Sequence, residues 1–277
     1  KPPVDTEGTT MTDTLSRRPL PVEGTYNLRE VGGYRAGAST VRTGKLFRSD
    51  ALHALTPGGR QSVADLGIRR VVDLRSDDEV ATSPSLLHEE VVIVHAPIFT
   101  GAAQPVGLGE AEVTLAGVYD VIVDQHGPQL AAAVRLIAES GDDAVLVHCT
   151  AGKDRTGLVV ALALLAAGVD RAEVVADYAL TSANLAGPWA DAMLARMREA
   201  GAEIGPDLEE IVTASPAELM EAVIARWDAE WGSPSGYLRA YGFTDADLAA
   251  LTAALLRPAA TPTDADTRTD TDTPTEN

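Results

Sequence analysis

Cysteine and lysine are scarce in this sequence. Cys149 is the single cysteine among 277 residues, so no intramolecular disulfide can form, which fits a reducing compartment. Lysine occurs only at Lys1, Lys45 and Lys153, so arginine carries almost all of the positive charge. With 41 acidic and 22 basic residues the net charge is −19, which argues against a nucleic-acid partner because the phosphate backbone requires a basic face. An anionic substrate would need a local positive site.

Long apolar runs are also missing. The longest, Leu158–Ala167, is shorter than the ~18–20 residues that span a bilayer, and it is typical of a buried helix. We therefore expect no integral membrane contact. The first residues lack the basic-then-apolar order of a secretory signal, so we expect no recognisable export signal in them.

Composition divides the chain into a globular body and two polar ends. The sequence is 45% hydrophobic, which is enough for one large domain core. Residues 258–277 are mostly Thr, Asp and Pro, and such a segment buries too little apolar surface to offset its ordering entropy. We therefore predict a disordered segment at 1–20, one domain over 21–257 and a disordered acidic tail at 258–277.

Strand-like and helix-like segments alternate up to residue 170. Short apolar strands separated by helices predict an α/β fold, with a mostly parallel central sheet flanked by helices. Ala144–Val147 shows no polar alternation, as expected for a strand covered on both faces. The predicted strands are Lys45–Arg48, Arg70–Leu74, Val91–Val94 and Ala144–Val147, and the predicted helices are Pro57–Leu66, which Thr56 caps, Pro128–Ser140 and Arg155–Ala167.

Beyond residue 170 the pattern is helical. Glycine and proline interrupt it between about residues 182 and 206, and a segment with breaks near both ends is a candidate lid. Three residue pairs have the spacing of capping boxes and predict helix starts. They are Asp170 with Glu173, Ser215 with Glu218, and Thr244 with Asp247.

The segment His148–Gly157 lies between the last predicted strand and an apolar helix, at the sheet edge where open α/β folds bind ligands. The amides of such a loop and the helix N-terminus together form an anion site. A cysteine in the same field is stabilised as the thiolate, which is its nucleophilic form. Cys149 is therefore the predicted nucleophile, and Arg155 is the predicted clamp for two phosphoryl oxygens.

The rest of the loop is assigned to substrate binding through His148, Thr150, Ala151, Gly152, Lys153 and Thr156. Gly152 permits the turn that aims the amides inward, and Lys153 adds positive charge at the rim. The Thr156 hydroxyl is placed to donate to the sulfur. For His148 a buried neutral imidazole is favoured over proton transfer. Asp154 is either a solvated carboxylate or a proton-transfer group.

The loop resembles the signature of the protein-tyrosine-phosphatase superfamily. Within it, the chain resembles a bacterial family whose loop reads His-Cys-x-x-Gly-Lys-Asp-Arg-Thr-Gly and which includes secreted tyrosine and lipid phosphatases of mycobacteria. The resemblance covers roughly residues 20–257. Other segments similar to the family are Asn27–Tyr34, Arg42–Ser49, Val71–Ser76 and Trp231–Arg239.

The resemblance implies a phosphatase fold with a helical lid and a two-step mechanism that needs no metal or other cofactor. Cys149 would attack phosphorus, an acid would protonate the leaving oxygen, and water would hydrolyse the cysteinyl-phosphate. The implied partners are phosphorylated proteins or phosphoinositides, with Lys153 and Asp154 broadening the range toward the latter. Family members can be exported without a recognisable signal, so a cytoplasmic and an exported location both stay open.

The sequence departs from better-known tyrosine phosphatases at the general acid. Their acid lies on an upstream mobile loop, and the matching residues 95–100 carry no carboxylate here. Asp73 at a strand end and Asp154 in the loop are the two candidates. Asp120 and Asp124 are weaker, because they look like polar-face residues of a helix. For Asp73 a structural ion pair with Arg75 is a nearly equal alternative.

Two other classes of function use a related loop. A pseudophosphatase binds phosphorylated partners without turnover, but it lacks the nucleophile or the clamp, and both Cys149 and Arg155 are present here. Sulfurtransferase loops lack the Gly-Lys-Asp-Arg-Thr run, and most thiol-dependent arsenate reductases need further cysteines. A single cysteine therefore disfavours this second class.

Overall fold

The computed structural model describes residues 18–99 and 114–258. The two segments predicted to be disordered, 1–20 and 258–277, lie almost entirely outside these residues. The strands of the described chain are β1 (Arg29–Glu30), β2 (Arg35–Ala36), β3 (Ser39–Val41), β4 (Leu46–Ser49), β5 (Ile68–Asp73), β6 (Val92–His95), β7 (Ala144–His148) and β8 (Leu256–Pro258).

Helices surround these strands. None of the described helices is long and apolar enough to cross a membrane. They are α1 (Pro57–Asp65), α2 (Asp77–Thr82), α3 (Leu115–Gln125), α4 (Gly127–Ala138), α5 (Asp154–Ala166), α6 (Arg171–Leu185), α7 (Pro188–Glu199), α8 (Pro206–Thr213), α9 (Ala217–Trp231), α10 (Pro234–Ala240) and α11 (Asp245–Leu255).

In the described chain, five strands form the central sheet in the order β1-β4-β7-β5-β6. Strands β4, β7, β5 and β6 are parallel, and β1 joins the edge in antiparallel orientation. β7 is the middle strand and all of its residues are buried, which explains its unbroken apolar run Ala144–Val147. Strands β2, β3 and β8 form a second, antiparallel sheet. The predicted fold, a mostly parallel sheet flanked by helices, is confirmed.

The core has two apolar clusters that share strand β7. Val145 and Val147 belong to the larger cluster, whereas Leu146 belongs to the smaller one, as expected when successive side chains of a strand point to opposite faces. The larger cluster includes α5, whose residues 156–164 are all buried. Each fully buried Leu or Val of this helix contributes about 1.5–3 kcal/mol, so α5 is held firmly against the sheet.

Three predicted helix starts agree with the structure. The side chain of Thr56 accepts a hydrogen bond at the start of α1, and Thr244 forms a full capping box with Asp247 at the start of α11. Asp170 is the N-cap of α6, but its side chain makes no capping hydrogen bond. The spacing of Asp170 and Glu173 therefore predicted where α6 begins, but the capping hydrogen bond that it implied is absent.

Two other boundaries differ from the prediction. The capping box at Ser215 is wrong, because α9 begins after Pro216 and the Ser215 hydroxyl accepts from the Ser182 amide at 2.8 Å. The predicted start of the lid segment, near Ser182, lies inside α6, which continues to Leu185. The helical path is interrupted at Gly187, whose φ of 78° favours glycine.

Lys45 is buried at the amino end of the parallel strands. Its Nζ donates to Ser140 Oγ at 2.7 Å and to Gly141 O at 2.8 Å. Burial, followed by the charge of Arg42, lowers the pKa of Lys45 to about 8. The ammonium therefore stabilises the turn that follows α4.

Candidate active site

The loop from Cys149 to Lys153 joins β7 to α5. Cys149 is 2% exposed, and its carbonyl lies 3.1 Å from Nδ1 of His148. Burial lowers the pKa of His148 to about 4, although Asp73 opposes this shift, so the imidazole is neutral at pH 7. His148 has no exposed surface. The structure therefore supports the buried imidazole and corrects its assignment to direct substrate binding.

Gly152 makes the turn of the loop. Its φ is 66°, and a Cβ atom there would lie 2.2 Å from the carbonyl oxygen of Ser49. Both the backbone conformation and the space therefore require glycine. The end of β4 packs directly against the loop at this point.

The amides of Ala151, Gly152 and Lys153 donate to no acceptor within the described chain. They precede the N-terminus of α5, where the first amides of a helix also lack intrahelical partners. Free donors together with the positive end of a helix dipole form an anion site. The structure thus places the free amides of residues 151–153 at the start of α5, which is the arrangement predicted for an anion site.

Arg155 is held beside the loop by Glu79. Its Nη1 lies 2.6 Å from Oε2 and its Nη2 lies 2.9 Å from Oε1 of that carboxylate, and Nη2 also lies 3.3 Å from Thr150 Oγ1. The guanidinium lies 5.2 Å from the ring centre of Phe99. Burial alone would lower the pKa of Arg155, but the charge of Cys149 and the bonds to Glu79 raise it overall. Arg155 is therefore a fixed cation next to Cys149.

Glu79 is a site residue that the sequence did not reveal. Its carboxylate accepts from the Ser76 amide at 2.8 Å, from the Thr150 hydroxyl and from Arg155. Burial would raise the pKa of Glu79, but the hydrogen bonds and charge of Arg155 lower it to about 2. The spacing of Ser76 and Glu79 is a visible capping signal, and α2 does begin with this capping box. Its contact with Arg155, which is 76 residues away, has no counterpart in the spacing or periodicity of the sequence.

Lys153 is not at the rim of the site. It is 1% exposed, and its Nζ donates to Ile211 O at 2.5 Å and to Ala214 O at 2.9 Å. These carbonyls lie at the C-terminal end of α8, where a cation is favoured by the helix dipole. The predicted position of Lys153 at the rim is therefore wrong, because its side chain is buried and connects the loop to the end of α8 by hydrogen bonds.

Asp154, the first residue of α5, faces a pair of tyrosines. The hydroxyls of Tyr119 and Tyr178 lie 2.7 Å apart, and burial, followed by the charge of Asp154, raises the pKa of both phenols. Oδ1 of Asp154 lies 3.4 Å from Lys153 Nζ, and the side chain is 25% exposed. Asp154 is therefore a carboxylate beside the loop that solvent can still reach.

Asp73 is held in a buried ion pair. Its Oδ2 lies 2.6 Å from Arg75 Nη2, and its Oδ1 lies 2.9 Å from Arg75 Nε. Oδ2 also lies 3.4 Å from His148 Nε2. Burial would raise the pKa of Asp73, but the hydrogen bonds from Arg75 outweigh it and lower the pKa. A carboxylate that stays ionised has no proton to give, so this geometry favours the structural alternative.

The weaker acid candidates lie away from this arrangement. Asp120 and Asp124 are exposed on α3 and contact Arg226 on α9, at 3.1 and 2.5 Å. Within residues 18–99 and 114–258, no group of three or more His, Cys, Asp or Glu side chains could hold a metal ion.

Helix α7 lines a cavity that adjoins the loop at Thr150. A cavity next to Thr150 is lined by Trp189, Met193 and Arg196 of α7, and by Tyr26 and His53 from the N-terminal part of the chain. This cavity combines two aromatic rings with the Arg196 guanidinium and the Asp50 carboxylate. The segment predicted as a lid thus contributes one wall of a cavity beside the loop, and its role as a lid stays a prediction.

Comparison with known proteins identifies the family. A model of the tyrosine phosphatase family matches residues 20–257. The chain belongs to this family. A tyrosine-protein phosphatase of Nostoc commune is 32% identical over 224 residues, which cover 76% of this chain and 74% of that protein. The triple specificity protein phosphatase PtpB of Mycobacterium tuberculosis is 31% identical over 285 residues, which cover 87% of this chain and 100% of that protein.

A solved structure also matches this tyrosine phosphatase. The crystal structure of P. aeruginosa TpbA covers 63% of the chain and 90% of its own, at 18% identity and a TM-score of 0.34. A TM-score this low does not define a shared fold. The matched family range confirms the resemblance carried by the loop, and it implies phosphorylated substrates for this phosphatase.

Proposed function

We propose that this phosphatase hydrolyses phosphomonoesters through a covalent cysteinyl-phosphate on Cys149. The observation that carries the proposal is the arrangement around this residue. Free loop amides, the N-terminus of α5 and the guanidinium of Arg155 all lie at one edge of the sheet. Each of them favours negative charge, so together they suit both a thiolate and a bound phosphoryl group.

In the first step, the Cys149 thiolate attacks phosphorus. The S–P bond forms while the P–O bond to the leaving group breaks, and Arg155 stabilises the charge on the equatorial oxygens. Asp154, in its protonated form, gives its proton to the leaving oxygen. Its partial exposure supports this role, because the proton must be replaced from solvent.

In the second step, water hydrolyses the intermediate. The Asp154 carboxylate takes a proton from the water as its oxygen attacks phosphorus, the S–P bond breaks, and the thiolate leaves. The Thr156 hydroxyl is buried without a hydrogen-bond partner in the described chain, in the first turn of α5. We propose that it donates to the departing sulfur.

We propose phosphotyrosine proteins as substrates, with phosphoinositides as a second class. The names of the relatives support this choice, since one is a tyrosine-protein phosphatase and another has triple specificity. The cavity beside Thr150 supports it chemically, because its aromatic residues Tyr26 and Trp189 can contact a tyrosyl ring. Arg196, rather than the buried Lys153, is the exposed cation that further phosphates would meet.

The test compares phosphate release by the wild type and by Cys149→Ser. The substrates are a phosphotyrosine peptide, a phosphoserine peptide and a phosphoinositide panel, all with EDTA present. We expect release by the wild type and a loss of at least about a thousandfold in the variant. Phosphopeptide binding without release by the wild type would overturn the proposal and leave a binding module.

The acid assignment has its own test. We expect Asp154→Asn to lower kcat on the phosphotyrosine peptide by about a hundredfold, and to have a smaller effect on 4-nitrophenyl phosphate, whose leaving group needs no proton. Asp73→Asn is the matched control and should affect both substrates equally. Equal losses on both substrates for Asp154→Asn would remove it as the acid.

A further inference from the structure

Three consecutive carbonyls of the loop are held from the side opposite its free amides. The carbonyl of Thr150 accepts from the Ala51 amide at 3.0 Å. The carbonyl of Ala151 accepts from Asn27 Nδ2 at 3.0 Å. The carbonyl of Gly152 accepts from the same Nδ2 at 3.3 Å, and also from an arginine in β4. One side-chain amide thus contacts two neighbouring peptide groups.

Fixing these carbonyls also fixes the amides. A trans peptide group is planar, and its C=O and N–H bonds point in opposite directions. The carbonyls of residues 150–152 point toward the Ala51 amide, Asn27 and Arg48, so the amides of residues 151–153 must point away from these donors. These are the amides that have no acceptor within the described residues. The groups that bind these carbonyls therefore determine the direction in which the free amides of the loop point.

Asn27 is itself held by several polar groups. Its Oδ1 accepts from Arg29 and from Asn184 Nδ2, the latter at 3.0 Å. Its backbone amide donates to Asp50 Oδ1 at 2.9 Å. Asn27 has no exposed surface, and neither does Arg29. The side chain therefore has one orientation available, with its NH₂ group toward the loop.

A buried charge group anchors the same region. Arg48 donates to Gly152 O at 2.8 Å through Nη2 and to Asp177 Oδ2 at 2.5 Å through Nη1. Arg29 Nε donates to Asp177 Oδ1 at 3.0 Å. We call Asn27, Arg29, Arg48 and Asp177 the brace. It connects β1 and β4 to α6 underneath the loop.

We propose that Asn27 is a positioning residue, which orients the loop amides toward the phosphoryl group and the Cys149 sulfur. The inference rests on the proposed cysteinyl-phosphate function. Asn27 touches neither substrate nor reacting atoms, and it acts through the peptide groups of residues 151 and 152. Loss of its NH₂ group leaves those carbonyls free to rotate, and the amides lose their common direction.

The test is Asn27→Ala, with two measurements that do not need turnover. The first is the pH midpoint of Cys149 alkylation by iodoacetamide, which reports thiolate stabilisation. The second is the affinity for orthovanadate, measured by protection from alkylation. We expect the midpoint to rise by about one pH unit and the vanadate affinity to fall about tenfold, because both anions depend on the same amides. Asn27→Ser is the second variant if Asn27→Ala does not fold.

Ser140→Ala is the matched control. It also removes a buried side chain that bonds to backbone, but Ser140 lies at the opposite end of the sheet, with Lys45. We expect this control to lower the melting temperature and to leave both midpoint and vanadate affinity unchanged. A folded Asn27 variant with an unchanged midpoint and vanadate affinity within about twofold of the wild type would overturn the proposal. Because neither measurement needs phosphate release, failure of the proposed function would be seen separately, in the Cys149→Ser comparison.

Discussion

Two groups of arginines and carboxylates lie on the two sides of one loop, and they differ in how far solvent reaches them. On the substrate side, the side chains of Arg155 and Glu79 are 11% and 32% exposed. In the brace, the side chains of Arg29, Arg48 and Asp177 are at most 2% exposed. A pair in contact with solvent can change partners at small cost, whereas a buried group that loses one member retains an uncompensated charge. The same chemistry therefore gives a pair that solvent can reach on the side of the free amides, and a buried support behind the loop.

The largest effect should come from the brace. Asp177→Ala leaves Arg29 and Arg48 buried without their carboxylate, so we expect the free energy of unfolding to fall by about 3–5 kcal/mol, as measured by urea denaturation. Asp120→Ala removes a carboxylate from an exposed pair and should cost less than about 1 kcal/mol. A loss of similar size for both variants would remove the proposed difference between buried and exposed groups.

On the substrate side the effect should appear in catalysis instead. Arg155→Lys keeps the charge but loses the planar fork, so we expect kcat on a phosphotyrosine peptide to fall by about 10²–10³-fold while stability changes little. Arg226→Lys, at an exposed arginine that also binds carboxylates, is the control and should leave kcat unchanged. Wild-type kcat in Arg155→Lys would show that charge alone is sufficient.

Asp50, whose carboxylate accepts from the Asn27 amide, allows a pH-dependent test of the buried region behind the loop. Burial raises the pKa of Asp50 to about 6, despite hydrogen bonds from the amides of Asn27 and Tyr26. The folded state then holds the proton more tightly than the unfolded chain, so this residue's contribution to stability falls as pH rises from 3.8 to about 6. Asp50→Asn keeps an oxygen acceptor without the charge. We expect it to raise the free energy of unfolding by about 1–3 kcal/mol at pH 7.

The measurement for Asp50→Asn is urea denaturation at pH 4 and pH 7. The difference between variant and wild type should be large at pH 7 and small at pH 4. A variant that is less stable than the wild type at pH 7 would show that the ionised carboxylate is needed by the two amides.

The smallest effect should come from Glu79. Glu79→Gln retains an acceptor for Arg155 but removes the charge that orients it, so we expect kcat/KM to fall about tenfold. Glu230→Gln removes a carboxylate from the exposed Arg226 and should leave kcat/KM unchanged. No loss in Glu79→Gln would show that Phe99 and Thr150 alone orient the guanidinium.

The sequence predicted what depends on neighbouring residues. The alternation of strands and helices indicated the parallel sheet, and the unbroken apolar run Ala144–Val147 indicated a strand covered on both faces. Cys149 and Arg155 lie on one loop and the helix start that follows, so their spacing alone indicated an anion site. These features need only local periodicity and the geometry of a strand–loop–helix unit.

The rest depends on distant contacts. Glu79 meets Arg155 across 76 residues, and Asn27 meets Ala151 across 124. No periodicity encodes such pairs, because many acidic or amide side chains could satisfy the same pattern. Lys153 shows the same limit: its place in the loop suggested a rim charge, but the end of α8 supplies carbonyls that bury it.

The two buried lysines have a consequence for labelling and proteolysis. Lys45 and Lys153 are the lysines of residues 18–99 and 114–258, and they are 2% and 1% exposed. Amine-directed reagents and lysine-specific proteases therefore find no accessible target in this part of the folded chain. Cleavage after Lys45 or Lys153 would therefore report the fraction of molecules in which that lysine has become exposed by unfolding.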